Sequence, residues 1–599
     1  MKSHMLLLRT VLEESGTRCC TSTSRDWKTI TTRTENEGLS FLTIALPKFC
    51  DDLQKGLSRG SVDSSLFVGY AKKGYLPRFL LGFTSRVFNS STGLLVNEPC
   101  YDAIHSLRQI CLLFGKVNLP CSDTRTNAAF AQYVDCEKQV RLADQRIEPF
   151  LLKRFSSMAL RVLGDVMSSV DREIYEGEIV PKHGPGATAD RLTGNGKYNL
   201  NTWTRRLDEV FPSEEFLFPS WNPLVDSPLE VLLEPEAEIP VKVITVPKTL
   251  KTPRIIAIEP ACMMYAQQGI MRSLVQAIER DDILSKLIGF DDQNPNREMA
   301  YIGSRDGSLA TLDLREASDR VSNQLVRRLS YHFPWFSKGL DASRSRKADV
   351  PGYGVIRLAK FASMGSALCF PIEAMVFLTI VLMGIERGSN SQITRERLKS
   401  FIGKVRIFGD DIIVPEEYVQ HVVEELETFG LLVNFDKSFW TGKFRESCGK
   451  EYFNGEDVSI VRVREMLPSQ RGHVREIISA VSLRNQFYFS GYWETAAMLD
   501  KLLGGIIPFP MVLPESPALG RHSFLGYDDT QKECSNLQKP LVRAYVERST
   551  KPLSYLDGRG ALLKYFLNSS DLPVTDRNHL ERAGRPKTVN IKLGWVSAT

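Results

Sequence analysis

Apolar and polar positions along this chain change period several times, and each change predicts an element. Leu309, Thr311 and Asp313 alternate with Ala310, Leu312 and Leu314, which predicts a strand buried on at least one face with Asp313 near its end. Past Ser318 or Asp319, either of which reads as a helix N-cap, Val321, Leu325, Val326 and Leu329 take up helical spacing. In Val405–Val414, two short apolar, β-rich runs flank Gly409, Asp410 and Asp411, the pattern of a β-hairpin with two adjacent carboxylates at its tip. Next, Val419, Val422, Val423, Leu426 and Phe429 define one face of an amphipathic helix, with Pro415 fitting its first turn and Gly430 its end.

Residues 367–383 are almost wholly apolar. Their length suits a membrane span, but Pro371 and Glu373 interrupt the run and no second such segment exists, so a buried core helix is expected. Helices are also expected over Ala103–Phe114, Phe150–Val170, Tyr265–Glu279, Val474–Leu483 and Tyr492–Leu503. The glycine-containing stretch 171–240 reads as loop, with Trp203 and Trp221 as core packing, and the segment after about residue 505 reads as proline-rich loop. Residues 1–100 mix both patterns. The last stretch is basic through Arg577, Arg582, Arg585, Lys587 and Lys592, either a solvated tail or a surface that touches RNA.

Three places concentrate candidate chemistry. Asp313 with Asp410 and Asp411 would set three carboxylates on neighbouring strand ends, a ligand set suited to two hard cations roughly 4 Å apart and so to in-line phosphoryl transfer. Ser363-Met-Gly365-Ser366 is a small-residue loop ahead of the apolar helix, where glycine permits close approach of backbone or ligand and the serines supply hydroxyls. Lys248, Lys251 and Arg254 recur at three-residue spacing on an arm bounded by Pro247 and Pro260, a compact clamp for a triphosphate. Each feature alone has a plainer reading: a Gly-Asp surface turn, a capping acid, a solvated basic loop.

Composition narrows the class. A chain of 599 residues with 43% hydrophobic and 25% charged content can bury a large core and divide into subdomains. Net charge of +5 excludes a uniformly basic coat, so any nucleic-acid surface must be local. The eleven cysteines are irregularly spaced with no C-x-x-C pair, as expected of reduced thiols. The apolar run at the N-terminus is too short for a signal peptide, and no repeats are present.

The order basic arm, strand–Asp–helix, Ser/Gly loop–helix, Gly-Asp-Asp hairpin, helix, lysine and short hairpin resembles the motif series of a viral RNA-dependent RNA polymerase. The wording is narrower. The blocks VPKxxKTxRxIAIEP (246–260), DGSLATLDLxxASD (306–319), SMGS (363–366), FGDDIIV (408–414) and FRESCGK (444–450) resemble the replicase catalytic (beta) subunits of the single-stranded RNA bacteriophages, the levivirus group that includes Q-beta. Asp292-Gln293-Asn294 and His183–Ala187 match segments of the same group, and the resemblance covers roughly residues 180–465.

The resemblance implies an α+β right-hand polymerase fold of fingers, palm and thumb, with an antiparallel palm sheet backed by helices. It implies an N-terminal extension over 1–100, fingers over 101–299, palm over 300–465 (part of 336–358 belonging with the fingers) and thumb with C-terminal region over 466–599. It further implies RNA-directed RNA synthesis by nucleotidyl transfer with two Mg²⁺ ions, or Mn²⁺, on Asp313, Asp410 and Asp411. Lys248, Lys251 and Arg254 would hold the nucleoside triphosphate, Asp319 with Ser318 or the Ser363–Ser366 loop would meet the ribose 2′-hydroxyl, and Lys437 resembles the lysine that protonates pyrophosphate. Arg445 and Cys448 would sit near the primer end in a structural role. Partners implied are RNA template and product, host elongation factors Tu and Ts and a small-subunit ribosomal protein, in the cytoplasm of a bacterial host without a membrane. A reverse transcriptase would share the palm and carboxylates but usually carries an aromatic-x-Asp-Asp hairpin and a bulky residue near the sugar, whereas this chain has Gly409 before the pair and Asp319 and Ser318 near the ribose. A non-catalytic RNA-binding scaffold derived from a polymerase would have lost a carboxylate or cation, and none is missing.

Overall fold

The computed structural model describes residues 2–218, 232–528, 532–550, 555–568 and 588–599. Helices α1 (Lys2–Arg18), α2 (Ser24–Glu37) and α3 (Leu46–Arg59) lead into a small hairpin, β1 (Lys72–Lys73) and β2 (Leu76–Pro77). Then come α4 (Tyr101–Leu112), α5 (Asp123–Arg146) and α6 (Pro149–Tyr175). Local chemistry sets the ends: Gly60 closes α3 in the left-handed region, the Ser122 side chain caps α5 by accepting from the Arg125 N–H, and Pro149 opens α6 where no donor is needed.

Strands β3 (Val241–Val246) and β4 (Arg254–Ile258) form a hairpin that carries the basic arm at its tip, followed by α7 (Ala261–Arg280) and α8 (Asn294–Asp306). Strand β5 (Leu309–Arg315) follows, then a one-turn helix over Ala317–Arg320, then α9 (Asn323–Leu329). Strands β6 (Lys347–Val350) and β7 (Gly354–Arg357) join the basic-arm hairpin in a four-stranded sheet of order β4-β3-β6-β7, in which β3 and β6 are parallel. Helix α10 (Cys369–Ser389) precedes β8 (Arg406–Phe408), β9 (Asp411–Pro415), α11 (Val419–Thr428) and β10 (Leu432–Val433). These strands and β5 build the central antiparallel sheet, in the order β8-β9-β5-β10. The hairpin β11 (Phe444–Ser447) and β12 (Lys450–Phe453), helices α12 (Val474–Phe489) and α13 (Trp493–Gly504), and a long antiparallel ribbon of β13 (Pro540–Thr550) with β14 (Thr588–Ser597) complete the chain.

The central sheet has two different faces. Ala310, Leu312, Leu314, Ile412 and Val414 enter the main core with α6, α7, α9, α10 and α11, while Leu309 and Ile413 pack on Met299 of α8. Helix α10 runs through the first of these layers. By length and composition it could cross a membrane, but 89% of its apolar window is buried inside the protein, as expected of a core helix. A second core unites distant parts of the chain: α1, α3 and α4 pack with β11, β12, α12 and α13. Glu14 accepts hydrogen bonds from the Thr495 N–H (2.9 Å) and hydroxyl (2.7 Å), joining the first helix to α13.

Several expectations need correction. The helix expected to begin at Ser318 or Asp319 is split, because Val321 and Ser322 run extended beside 359–361 (Phe361 N–H to Val321 O, 2.8 Å; Asn323 N–H to Ala359 O, 2.9 Å). The cap of α9 is therefore Ser322, whose Oγ accepts from the Leu325 N–H at 3.1 Å. Pro415 ends β9 and precedes a 3-10 turn over Glu416–Tyr418, so it lies outside α11. The region after 505 contains β13, whose buried Val542 and Ala544 face Val512, Ala518 and Val596. Trp203 is fully buried and its indole N–H donates to Phe211 O at 3.1 Å, while Trp221 and Arg577, Arg582, Arg585 and Lys587 lie outside the described residues. All eleven cysteines are free thiols.

Candidate active site

Register places the central carboxylates. In the β5–β9 ladder Asp411 stands directly opposite Asp313, so both side chains lie on the same face, the one that α8 and the β11–β12 hairpin cover farther along. Paired positions on antiparallel strands hold their Cβ atoms about 5 Å apart, a repulsive arrangement for two carboxylates unless cations lie close by. Asp410 occupies the two-residue turn between β8 and β9, where Phe408 pairs with Asp411. Gly409 is required twice over in that turn. Its φ is +59°, and an added Cβ would lie 2.5 Å from the Phe370 ring. Among the described residues no three His, Cys, Asp or Glu side chains are drawn together as a preformed metal cage. The paired Asp313 and Asp411 and the tip residue Asp410 are what the fold brings to this edge.

The second edge of β5 is occupied by the segment after β10. Asn434 Nδ2 donates to Asp313 Oδ2 at 2.7 Å, and Ser438 Oγ accepts from the Asp313 N–H at 3.0 Å. Lys437 sits in the turn between them, not on a strand edge. The tip of the β11–β12 hairpin reaches the same place: the Cys448 N–H donates to Asp411 Oδ2 at 3.2 Å, with Cys448 held at φ +48°. Arg445 is fully buried and gathers backbone oxygens, those of Leu309 (2.6 Å) and Phe444 (2.7 Å) among them, so it anchors the hairpin to β5.

The electrostatics follow from this crowding. Burial pushes the Asp411 carboxyl up to about 7, with Asp410, Glu446 and Asp313 adding to it. Burial also raises Asp313; Asp410 adds to the rise, while Lys437, Asn434 and Lys248 oppose it. Burial alone would depress Lys437, but Asp313, Glu446, Asp410 and Asp411 hold it above the ordinary lysine value. Burial raises Glu373 on α10 far above the carboxylate range, with Asp410 and Asp319 nearby. Carboxylates crowded with like charge and offering only oxygen donors fit hard divalent cations.

The basic arm is split. Lys248 reaches solvent, yet the surrounding protein lowers its pKa, with Arg254 and Lys437 adding and Asp410 and Asp313 opposing, so it lies within electrostatic reach of the acidic edge. Arg254 opens β4 opposite Val246 and is exposed. Lys251 acts instead on Asp51 and Asp436. The arm is pinned to the start of α5 by Arg125, which donates to Leu250 O at 2.6 Å.

Asp319 belongs to the one-turn helix after β5, and Ser318 is its half-buried neighbour. Lys360 is fully buried and its ammonium meets Asp319 Oδ1 at 2.8 Å, Glu137 Oε1 at 3.2 Å and the Tyr133 ring at 3.5 Å. The Tyr133 hydroxyl in turn lies 2.9 Å from Ser363 Oγ. Gly365 has φ +134°, and an added Cβ would lie 2.0 Å from Ala257 O, so the close approach this glycine permits is that of strand β4. Ser366 Oγ donates to Gln267 Oε1 at 3.0 Å, which ties the loop to α7. Lys360, Glu137, Tyr133 and Asn434 were not singled out from sequence. A lysine among Ala359, Phe361 and Ala362 was the available signal, because a cation in such a setting needs buried partners.

The chain's relatives bear on this geometry. Residues 237–477, which contain every site residue from Lys248 to Lys437, match a family described as RNA replicase, beta-chain. The chain is 28% identical over 494 residues to the RNA-directed RNA polymerase subunit beta of Enterobacteria phage SP, covering 78% of this chain and 81% of that one. It is 36% identical over 257 residues to the RNA-directed RNA polymerase subunit beta of Qbeta virus strain MX1 (42% of this chain, 40% of that one), and 39% identical over 218 residues to the RNA-directed RNA polymerase beta chain of Enterobacteria phage fr (36% of each). In these last two the shared stretch is well under half the relative's length. Among solved structures, a human picobirnavirus RNA-dependent RNA polymerase is similar at 10% identity and a TM-score of 0.32, over 44% of this chain and 55% of that one.

Proposed function

We propose that this chain, which matches the RNA replicase, beta-chain family over residues 237–477, polymerises ribonucleotides on an RNA template. The observation that carries this reading is the Asp313–Asp411 cross-strand pair with Asp410 at the adjoining turn and Lys437 and Lys248 within electrostatic reach. Asp313, Asp410 and Asp411 would hold two Mg²⁺ ions, or Mn²⁺, which when bound supply Lewis acidity toward the 3′-hydroxyl and neutralise charge on the departing pyrophosphate.

The protein's own groups do the rest. Lys248 and Arg254 draw the triphosphate toward the acidic edge and balance its charge, with Lys251 farther along the arm. Lys437, beside Asp313, Glu446, Asp410 and Asp411, would give a proton to pyrophosphate. Asn434 and the Cys448 N–H fix the orientations of Asp313 and Asp411. Asp319, held at Oδ1 by Lys360, has its second oxygen for the ribose 2′-hydroxyl, beside Ser318 and the Ser363–Gly365–Ser366 loop. The layout suits a right hand: fingers over 101–299, palm over 300–465 and thumb from 466, with residues 1–100 bridging to the thumb through the shared core. In this reading the chain works in the cytoplasm of a bacterial host, and elongation factors Tu and Ts and a small-subunit ribosomal protein are its partners. Primer-independent incorporation of labelled ribonucleotides on cognate RNA, with and without host-cell extract, tests it; no incorporation in either condition would refute it.

A further inference from the structure

A cavity of about 950 Å³ lies between α2, the β1–β2 hairpin and the chain around Leu81, and none of the residues from Lys248 to Lys437 lines it. Its charged lining is almost all of one sign. Arg25, Lys73 and Arg78 are exposed and make no ion pair among the described residues. Arg33 is the fourth cation; it is paired with Glu37 at 2.6 Å and laid over the Phe41 and Tyr70 rings. The lining acid, Asp26, is buried, its carboxylate accepts from the Leu80 N–H at 2.7 Å, and burial raises its pKa. The hydroxyl side chains of Thr21, Ser22, Thr29 and Ser85 also line the cavity. On a chain whose net charge is only +5, this is a strong local concentration.

We propose that this cavity is an accessory site for the phosphodiester backbone of single-stranded RNA, separate from the polymerisation site. The space far exceeds one phosphate and has the volume of a few nucleotides of one strand. Cations without ion-pair partners and hydroxyl side chains in one lining suit the phosphates and riboses of an RNA strand. A protein partner would need apolar anchors, and the aromatic rings here, Tyr70 and Phe79, are stacked on each other at 5.5 Å within the wall. Choice of RNA as ligand rests on the polymerase reading; the cationic cavity does not.

The test uses the full chain and fluorescence-anisotropy titrations of labelled heteropolymeric single-stranded RNA over a range of salt. The triple variant Arg25→Ala, Lys73→Ala, Arg78→Ala should bind about tenfold more weakly at low salt, and its salt slope should fall by about 2, roughly 0.7 for each lost phosphate contact. A control with the same charge change outside the cavity, Lys2→Ala, Lys28→Ala, Lys48→Ala, should keep the wild-type slope, and inorganic phosphate should compete only weakly. Both triples should incorporate nucleotides at the wild-type rate on a short template at saturating concentration. A wild-type slope in the cavity variant, an equal change in the control, or binding of polyglutamate in preference to RNA would overturn the proposal. If the wild type incorporates nothing yet the cavity variant loses RNA, the polymerase reading fails and this site stands.

Discussion

Lys360→Met is the most informative single change outside the acidic edge. It replaces a fully buried ammonium with an apolar group of similar length, leaving Asp319 and Glu137 facing each other without the cation that now sits 2.8 and 3.2 Å away. Burial alone would lower the Lys360 pKa, but Asp319, the Tyr133 ring and Glu137 more than compensate, so it stays protonated throughout the working range. Breaking a buried pair by removing one partner costs about 3–5 kcal/mol of stability. If Asp319 reads the 2′-hydroxyl, its loss of orientation also weakens one charge-assisted hydrogen bond of about 1.5–3 kcal/mol, so ribo- over deoxyribonucleotide preference should fall about ten- to a hundredfold. Asp319→Ala should lower the preference similarly, and Lys360→Arg, which keeps the charge, should restore part of it. The assay is the ratio of kcat/KM for matched ribo- and deoxyribonucleotides on one template, with thermal unfolding followed alongside. A destabilised Lys360→Met enzyme with an unchanged sugar ratio would refute the reasoning and leave Lys360 as a structural brace.

Arg254→Ala should raise the KM for nucleotides or lower kcat while leaving RNA affinity and its salt slope nearly unchanged; Lys251→Ala, whose charge falls on Asp51 and Asp436, should do less. Filter binding run beside a nucleotide titration separates the two, and weaker RNA binding with normal nucleotide kinetics would move the arm to the template path. Burial raises Glu259 to about 7, above its unfolded value of 4.5, so its contribution is favourable below about pH 4.5 and is lost as pH rises through 7. Glu259→Gln should therefore match the wild type near pH 4.5 and gain up to about 3 kcal/mol by pH 8, read from denaturant midpoints at both pH values; an equal gain at both would refute the linkage.

The parts of the site legible in the sequence are those built from contiguous residues. Alternation from Leu309 to Leu314 reveals β5, the apolar runs around Gly409 reveal the hairpin, and the long apolar run reveals α10. What escapes is pairing across distance. Asn434 meets Asp313 because β10 docks on β5, and Lys360 meets Glu137 because α5 crosses behind the loop; neither contact leaves a periodic trace. The split before α9 is likewise tertiary: Val321 and Leu325 keep helical spacing, but the segment 359–361 takes the Val321 carbonyl and the Asn323 N–H into its own hydrogen bonds. The core shared by α1 and α13 joins segments nearly 500 residues apart by apolar burial alone, which no local pattern encodes.

The central claim is that the acidic edge of β5 and β9 carries nucleotidyl transfer, and Asp410→Asn tests it most directly. The change is nearly isosteric at an exposed turn position, so the fold should persist while one charge of the ligand set is lost. Steady-state incorporation of labelled ribonucleotides by a variant with wild-type circular dichroism and RNA affinity should fall roughly a thousandfold, equivalent to about 4 kcal/mol of transition-state stabilisation. Turnover at the wild-type rate in that well-folded variant would contradict the account.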